Sequence, residues 1–316
     1  MKKAIEVRNL VKRYKSADSN AVDGISFDVE AGQLFALLGP NGAGKTTTIS
    51  ILNTTLAPTD GMAKIAGYNV NTQSAEVRQQ IGVIFQNPSL DMNLTAEENV
   101  RFHAILYGLY SFRPLYRLMP KAYREKVEQL AHILGIEKDI FKPIKTFSGG
   151  MKRKLEILRS LLHEPQVLIL DEPTVGLDPA SRRNLWQYIQ QVRKDSGTTV
   201  LLTTHYLDEA EGADTICIMN QGQIVSYGTT SQIKSDLVEQ YLLIDADDRD
   251  ALRTELTTKA IPFTKTEDED RPLKINAQPH EIHQLMRRID TPLTSVETHL
   301  PTLEDAYLAI TSEVTA

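Results

Sequence analysis

The chain has 316 residues, 41% of them hydrophobic, enough for the core of one large domain plus a smaller one and too apolar for a disordered chain. A formal net charge of -6 speaks against nucleic acid as the main ligand, because neutralising phosphates needs a basic face. The one cysteine, Cys217, sits in an apolar run and leaves no internal disulfide, which points to a reducing compartment such as the cytosol.

The start has basic residues but no apolar segment behind them, so it does not read as a secretory signal. No run approaches the roughly 20 apolar residues that span a bilayer. Residues 5–14 and 21–30 alternate at period two and read as strands. Residues 31–39 carry a third strand into Gly39-Pro40-Asn41-Gly42-Ala43-Gly44-Lys45-Thr46, which matches G-x-x-x-x-G-K-[ST]. Glycine suits such a loop because phosphate oxygens must reach bare backbone N–H groups through dihedrals that a β-carbon forbids. The helix that follows points its N-terminus at the same anion. Lys45 can reach the β- and γ-phosphates, Thr46 is placed to ligate Mg²⁺, and Thr47 adds a phosphate hydrogen bond.

From residue 96 to 134 the apolar spacing turns helical, and it continues so from 151 to 163, as a helical subdomain inserted into an α/β domain. Within it residues 108–120 mix aromatic and basic side chains: either a surface helix-turn, or a contact for a membrane partner or anionic headgroups. Residues 167–173 read as a buried strand ending in two acids, Asp171 and Glu172. Strand alternation sends adjacent side chains to opposite faces, so the two acids divide the work: Asp171 for Mg²⁺, Glu172 to polarise the attacking water. Standing alone, such a pair reads as a surface strand end. His205 closes another strand, where it is either structural or a hydrogen-bond partner of the γ-phosphate. Residues 215–220 and 220–228 form a hairpin with a glycine-containing turn. Beyond residue 230 come a strand (240–246), a helix (249–259), two strand candidates (262–267 and 272–277) around an acidic turn, a helix (279–290), a strand (294–300) and a last helix (302–311).

Tyr14, the glycine loop, Gln86 in "IGVIFQNP", "FSGGM" at 147–151, "LILDEP", "GLDPASR" at 176–182 and His205 occur in one order. Over residues 5 to about 229 the chain thus resembles the nucleotide-binding subunit of an ATP-binding cassette (ABC) transporter. The C-terminal stretch, ending "LPTLEDAYLAIT", is similar to the extension of drug-, antibiotic- and lipid-export cassettes related to daunorubicin-resistance ATPases. The resemblance implies an α/β P-loop NTPase cassette at 1–230, with a mixed-sheet core and a helical subdomain at about 87–165, and an accessory α+β module at 231–316. It implies ATP and Mg²⁺, with Tyr14 stacking on adenine and Gln86 sensing the metal site. It implies that Ser148, Gly149 and Gly150 cover the ATP of a second subunit in a head-to-tail homodimer or heterodimer, with Asp178 at that interface. On its own, Ser148 reads as a plain helix N-cap and Tyr14 as a strand aromatic. Met151 stands where many members have glutamine. The implied setting is the cytoplasmic face of a membrane, beside a separate permease. The alternative is a soluble ABC ATPase acting on ribosomes or DNA; those relatives carry two cassettes or long coiled coils, and neither is present here.

Overall fold

A computed structural model describes residues 2–15, 17–85, 89–204, 206–237, 241–264, 273–276, 279–299 and 302–313. The chain folds as two compact units, Met1–Thr229 and Thr230–Ala316.

In the first unit β1 (Lys3–Lys12) and β2 (Val22–Glu30) pair antiparallel, as their alternating burial requires, and β3 (Leu34–Leu38) runs into α1 (Lys45–Leu52). Next come β4 (Asp60–Ile65), β5 (Tyr68–Asn69), α2 (Ser74–Gln80) and β6 (Ile81–Ile84), a stretch to which the sequence reading assigned no elements. The helical part holds α3 (Ala96–Leu106), α4 (Lys121–Leu134) and α5 (Gly149–Leu161). A capping box of Thr95 and Glu98 starts α3, and Gly135 in a left-handed conformation ends α4. Then follow β7 (Val167–Asp171), α6 (Pro179–Ser196), β8 (Thr199–Thr203), α7 (Leu207–Ala210), β9 (Thr215–Asn220) and β10 (Gln223–Gly228).

The strands make two sheets, β2-β1-β4-β5 and β10-β9-β3-β8-β7-β6. The second is parallel from β9 to β6, and every residue of β3, β7 and β8 is buried, so these strands read as unbroken apolar runs. Gln221 and Gly222, both at positive φ, make the β9–β10 turn. Because β3, β7 and β8 are parallel neighbours, their carboxyl ends meet at one edge, where open α/β sheets bind ligands.

The second unit has α8 (Thr230–Leu237), β11 (Tyr241–Asp245), α9 (Arg249–Thr258), β12 (Leu273–Asn276), α10 (Pro279–Met286), β13 (Ser295–His299) and α11 (Leu303–Glu313). Its sheet, β12-β11-β13, is antiparallel, over a core of Leu242, Ile244, Leu252, Leu256, Leu273 and Ile275. The strand expected at 262–267 is present among the described residues only as a single bridge, Thr264 to Lys274; residues 265–272, with the acidic turn, lie outside them.

Candidate active site

The glycine loop leaves buried β3 and must turn within a few residues to start α1. At Gly39 a β-carbon would sit 2.2 Å from the Met219 carbonyl oxygen, and at Gly44 2.4 Å from that of Ala21, so the sheet edge and the β1–β2 connection admit only glycine there. Gly44, at φ 101°, gives α1 no side-chain cap, so the first turn directs its amides and the positive end of its dipole into the loop. Lys45 is 8% exposed and donates from Nζ to the carbonyls of Gly39 at 2.6 Å and Pro40 at 3.0 Å. Burial lowers its pKa, against the opposing pull of the Glu172 and Asp171 charges.

Residues 41–47 line a cavity of about 320 Å³ together with Ala21, Asp171 and Glu172. This places Asn41, Gly42, Ala43, Gly44, Lys45, Thr46 and Thr47 around one space, and brings both carboxylates to it. The expectation that strand alternation separates the two acids does not hold. β7 ends at Asp171, and Glu172 takes φ 47°, which turns the chain so that both residues border the cavity. Asp171 is 7% exposed and accepts from Thr203 Oγ1 at 2.6 Å; burial raises its pKa, partly offset by that bond. The Glu172 N–H donates to the Thr203 carbonyl at 3.0 Å, so the end of β8 braces both acids. The sequence reading missed Thr203; its signal was a hydroxyl at the end of the strand beside β7.

Tyr14 lies beyond the end of β1, 44% exposed, with its hydroxyl 3.3 Å from Thr47 Oγ1. That places an open aromatic face at the rim of the loop. Ser148 caps α5, its Oγ accepting from the Met151 N–H at 3.2 Å; Ser148 and Gly149 are exposed, and neither they nor Gly150 line the cavity. Asp178 caps α6, accepting from the N–H groups of Ala180 and Ser181, both at 3.0 Å, and from Ser181 Oγ at 2.6 Å, a bond that lowers its pKa. Gln86 and His205 lie outside the described residues. In the 108–120 stretch, Tyr110 and Tyr116 pack edge-on to buried Tyr123, while Phe112, Leu115 and Leu118 are exposed.

A glycine loop, a buried lysine and two carboxylates around one space suit a bound triphosphate and an attacking water. The comparisons agree. The model of the ABC transporter family matches residues 22–175. The daunorubicin/doxorubicin resistance ATP-binding protein DrrA of Streptomyces peucetius is 38% identical over 98% of this chain and 92% of its own length. The Nod factor export ATP-binding protein I of Ralstonia nicotianae is 37% identical over 81% of this chain and 77% of its own. A solved ATP-binding subunit of an ABC transporter matches with a TM-score of 0.65 and 31% identity, over 74% of this chain and 92% of that one. The chain therefore belongs to the ATP-binding subunits of ABC transporters, and it is an ATPase that binds ATP.

Proposed function

We propose that the chain hydrolyses MgATP as one of a head-to-tail pair of nucleotide-binding subunits, a homodimer or heterodimer, and so drives export of a drug, antibiotic, lipid or similar compound through a separate membrane permease. One observation carries this reading. The cavity gathers residues 41–47, Asp171 and Glu172, while the other glycine-rich helix start, at Ser148, is exposed and does not line it. Each is half of a site, and a second subunit in the opposite sense brings the halves together.

In this reading the amides of the loop and the Lys45 ammonium hold the β- and γ-phosphates, Thr47 adds a hydroxyl, and Tyr14 stacks on adenine. Thr46 and Asp171 border the same cavity, and hydroxyl and carboxylate oxygens are the donors Mg²⁺ takes. With Gln86 they would hold the ion, which supplies charge neutralisation on the phosphate oxygens. Glu172 accepts a hydrogen bond from the attacking water, and His205 steadies the γ-phosphate. Ser148, Gly149 and Gly150 give donors to the partner's nucleotide, and Asp178 sits at the shared interface. No helix among the described residues is long and apolar enough to cross a membrane, in keeping with a peripheral place at the cytoplasmic face. The near-full-length likeness to resistance proteins and the net charge of -6 favour transport over action on ribosomes or DNA.

Glu172→Gln tests the reading. It should bind MgATP as the parent does, lose about 10²- to 10⁴-fold in kcat, and double in mass in analytical ultracentrifugation when ATP is present. Near-parental turnover removes Glu172 as the base. Recovery of the native complex with ribosomes in place of a permease would favour the alternative.

A further inference from the structure

Glu172 is a non-glycine residue at φ 47°, a left-handed conformation that a long side chain disfavours and that persists only where its surroundings hold it. Its N–H side is held by Thr203. Its carbonyl side is held by a residue on a different element. Arg153 of α5 is 5% exposed, and its Nη2 donates to the carbonyls of Glu172 at 3.1 Å and Asp171 at 3.3 Å. Its Nε donates to the Pro173 carbonyl at 2.7 Å, and its Nη1 to the carbonyl of Phe85 and to Glu156 Oε2, the latter at 3.1 Å. A guanidinium has five N–H groups, and here five oxygens meet them. Three consecutive carbonyls, 171 to 173, are thus clamped by one planar fork.

The same guanidinium reaches Phe85, next to Gln86, and Glu156 Oε1 accepts from the Ser89 N–H at 2.9 Å on the far side of that segment. The helix that opens at Ser148 therefore grips the backbone of both carboxylates and the residues on either side of 86–88, Phe85 and Ser89.

We propose that Arg153 is a positioning residue for hydrolysis: by holding Glu172 in its left-handed turn it aims the carboxylate into the cavity, and it ties that aim to the helix that presents Ser148. The inference rests on the reading of Glu172 as the base. Without the fork, the chain at Glu172 can relax toward the extended conformation of β7, whose alternation turns the side chain off the cavity. The glycine loop, which holds the nucleotide, is untouched.

The test measures kcat and MgATP Kd for Arg153→Met and Arg153→Lys, each alone and combined with Glu172→Gln. Arg153→Met should lower kcat about tenfold or more while Kd moves less than about twofold. Lysine keeps the charge but has three donors and no fork, so Arg153→Lys should fall between. In the Glu172→Gln background, Arg153→Met should change the residual rate less than about twofold, because the group being aimed is gone. Should Arg153→Met fail to fold, a cooperatively melting Arg153→Lys carries the same comparison. Parental kcat in a folded Arg153 variant overturns the proposal. So does an undiminished loss on top of Glu172→Gln, or a loss of nucleotide affinity in step with kcat. Parental turnover in Glu172→Gln alone strikes the base assignment and the inference with it. An inactive Glu172→Gln beside a fully active Arg153→Met strikes the inference only.

Discussion

Helices α1 and α5 both start in glycine, yet they are finished differently. Gly44 gives α1 no side-chain cap, whereas Ser148 closes α5 with its own hydroxyl. Lys45 is buried beside two carboxylates, while Ser148 is exposed. An uncapped helix start walled by charge holds an anion by itself. A capped, exposed one has already satisfied part of its first turn, and its remaining donors gain most when a second surface excludes water. Under the proposed pairing the difference makes the two half-sites unequal: the first would bind nucleotide in a lone chain, and the second would act only in the pair.

The largest effect should come from the buried cation of the first half-site. Lys45→Ala should weaken MgATP binding by about 2 kcal/mol or more, since it strips a buried charge from its partners. Titration calorimetry on the separate chain reads this directly, and an unchanged Kd would break the claim that this half binds alone. Next is Ser148→Asp. Aspartate is as good an N-cap as serine, so the melting temperature should hold. A carboxylate where a phosphate is to dock should abolish ATP-dependent pairing and cut kcat by about tenfold or more, with Kd of the lone chain unchanged. Intact pairing would leave Ser148 as a cap and nothing else.

Acid should separate the two regions by sign. His103 lies on α3 in the helical part, where burial, with the positive charge of Arg159, holds its pKa down to about 3 from 6.5. The unfolded chain takes up a proton below 6.5 that the folded chain refuses, so stability is lost as pH falls through that window, by about 2 kcal/mol near pH 5. Asp171 shifts the other way: its raised pKa means that ionisation costs the folded form, so its contribution is best in acid and declines as pH rises past 3.8. His103→Gln should flatten the fall in melting temperature between about pH 7 and pH 5. An equal fall in parent and variant would place the acid sensitivity elsewhere.

What the sequence displayed follows from the same contrast. The strand-loop-helix around Gly39 was legible because its constraints are local: an apolar run, glycines where a β-carbon has no room, a lysine at fixed spacing. The separation of Asp171 from Glu172 was misread because alternation holds only while the strand lasts, and β7 ends at Asp171. The contacts of Thr203 and Arg153 are harder to read, since one is set by sheet order and the other by a helix folding back on the strand end. In the 60–84 stretch β5 and β6 have only two and four residues, too short to show a period. In the 108–120 stretch the aromatic pattern could not tell Tyr110 and Tyr116, which pack on Tyr123, from Phe112, which is exposed.

The smallest expected effect sharpens the first half-site at its rim. Tyr14 is nearly half exposed, and its hydroxyl contacts Thr47 in the loop. If its ring stacks on the base, Tyr14→Ala should raise the ATP Kd about fivefold, the scale of about 1 kcal/mol for an aromatic pair. Tyr14→Phe keeps the ring and loses only the hydroxyl, so it should stay close to the parent. Stacking reads the face of a base and not its edge, so ATP and GTP should weaken together. A defect in Tyr14→Phe equal to that of Tyr14→Ala would mean that the hydroxyl, through Thr47, is the part that matters, and that the ring only carries it there.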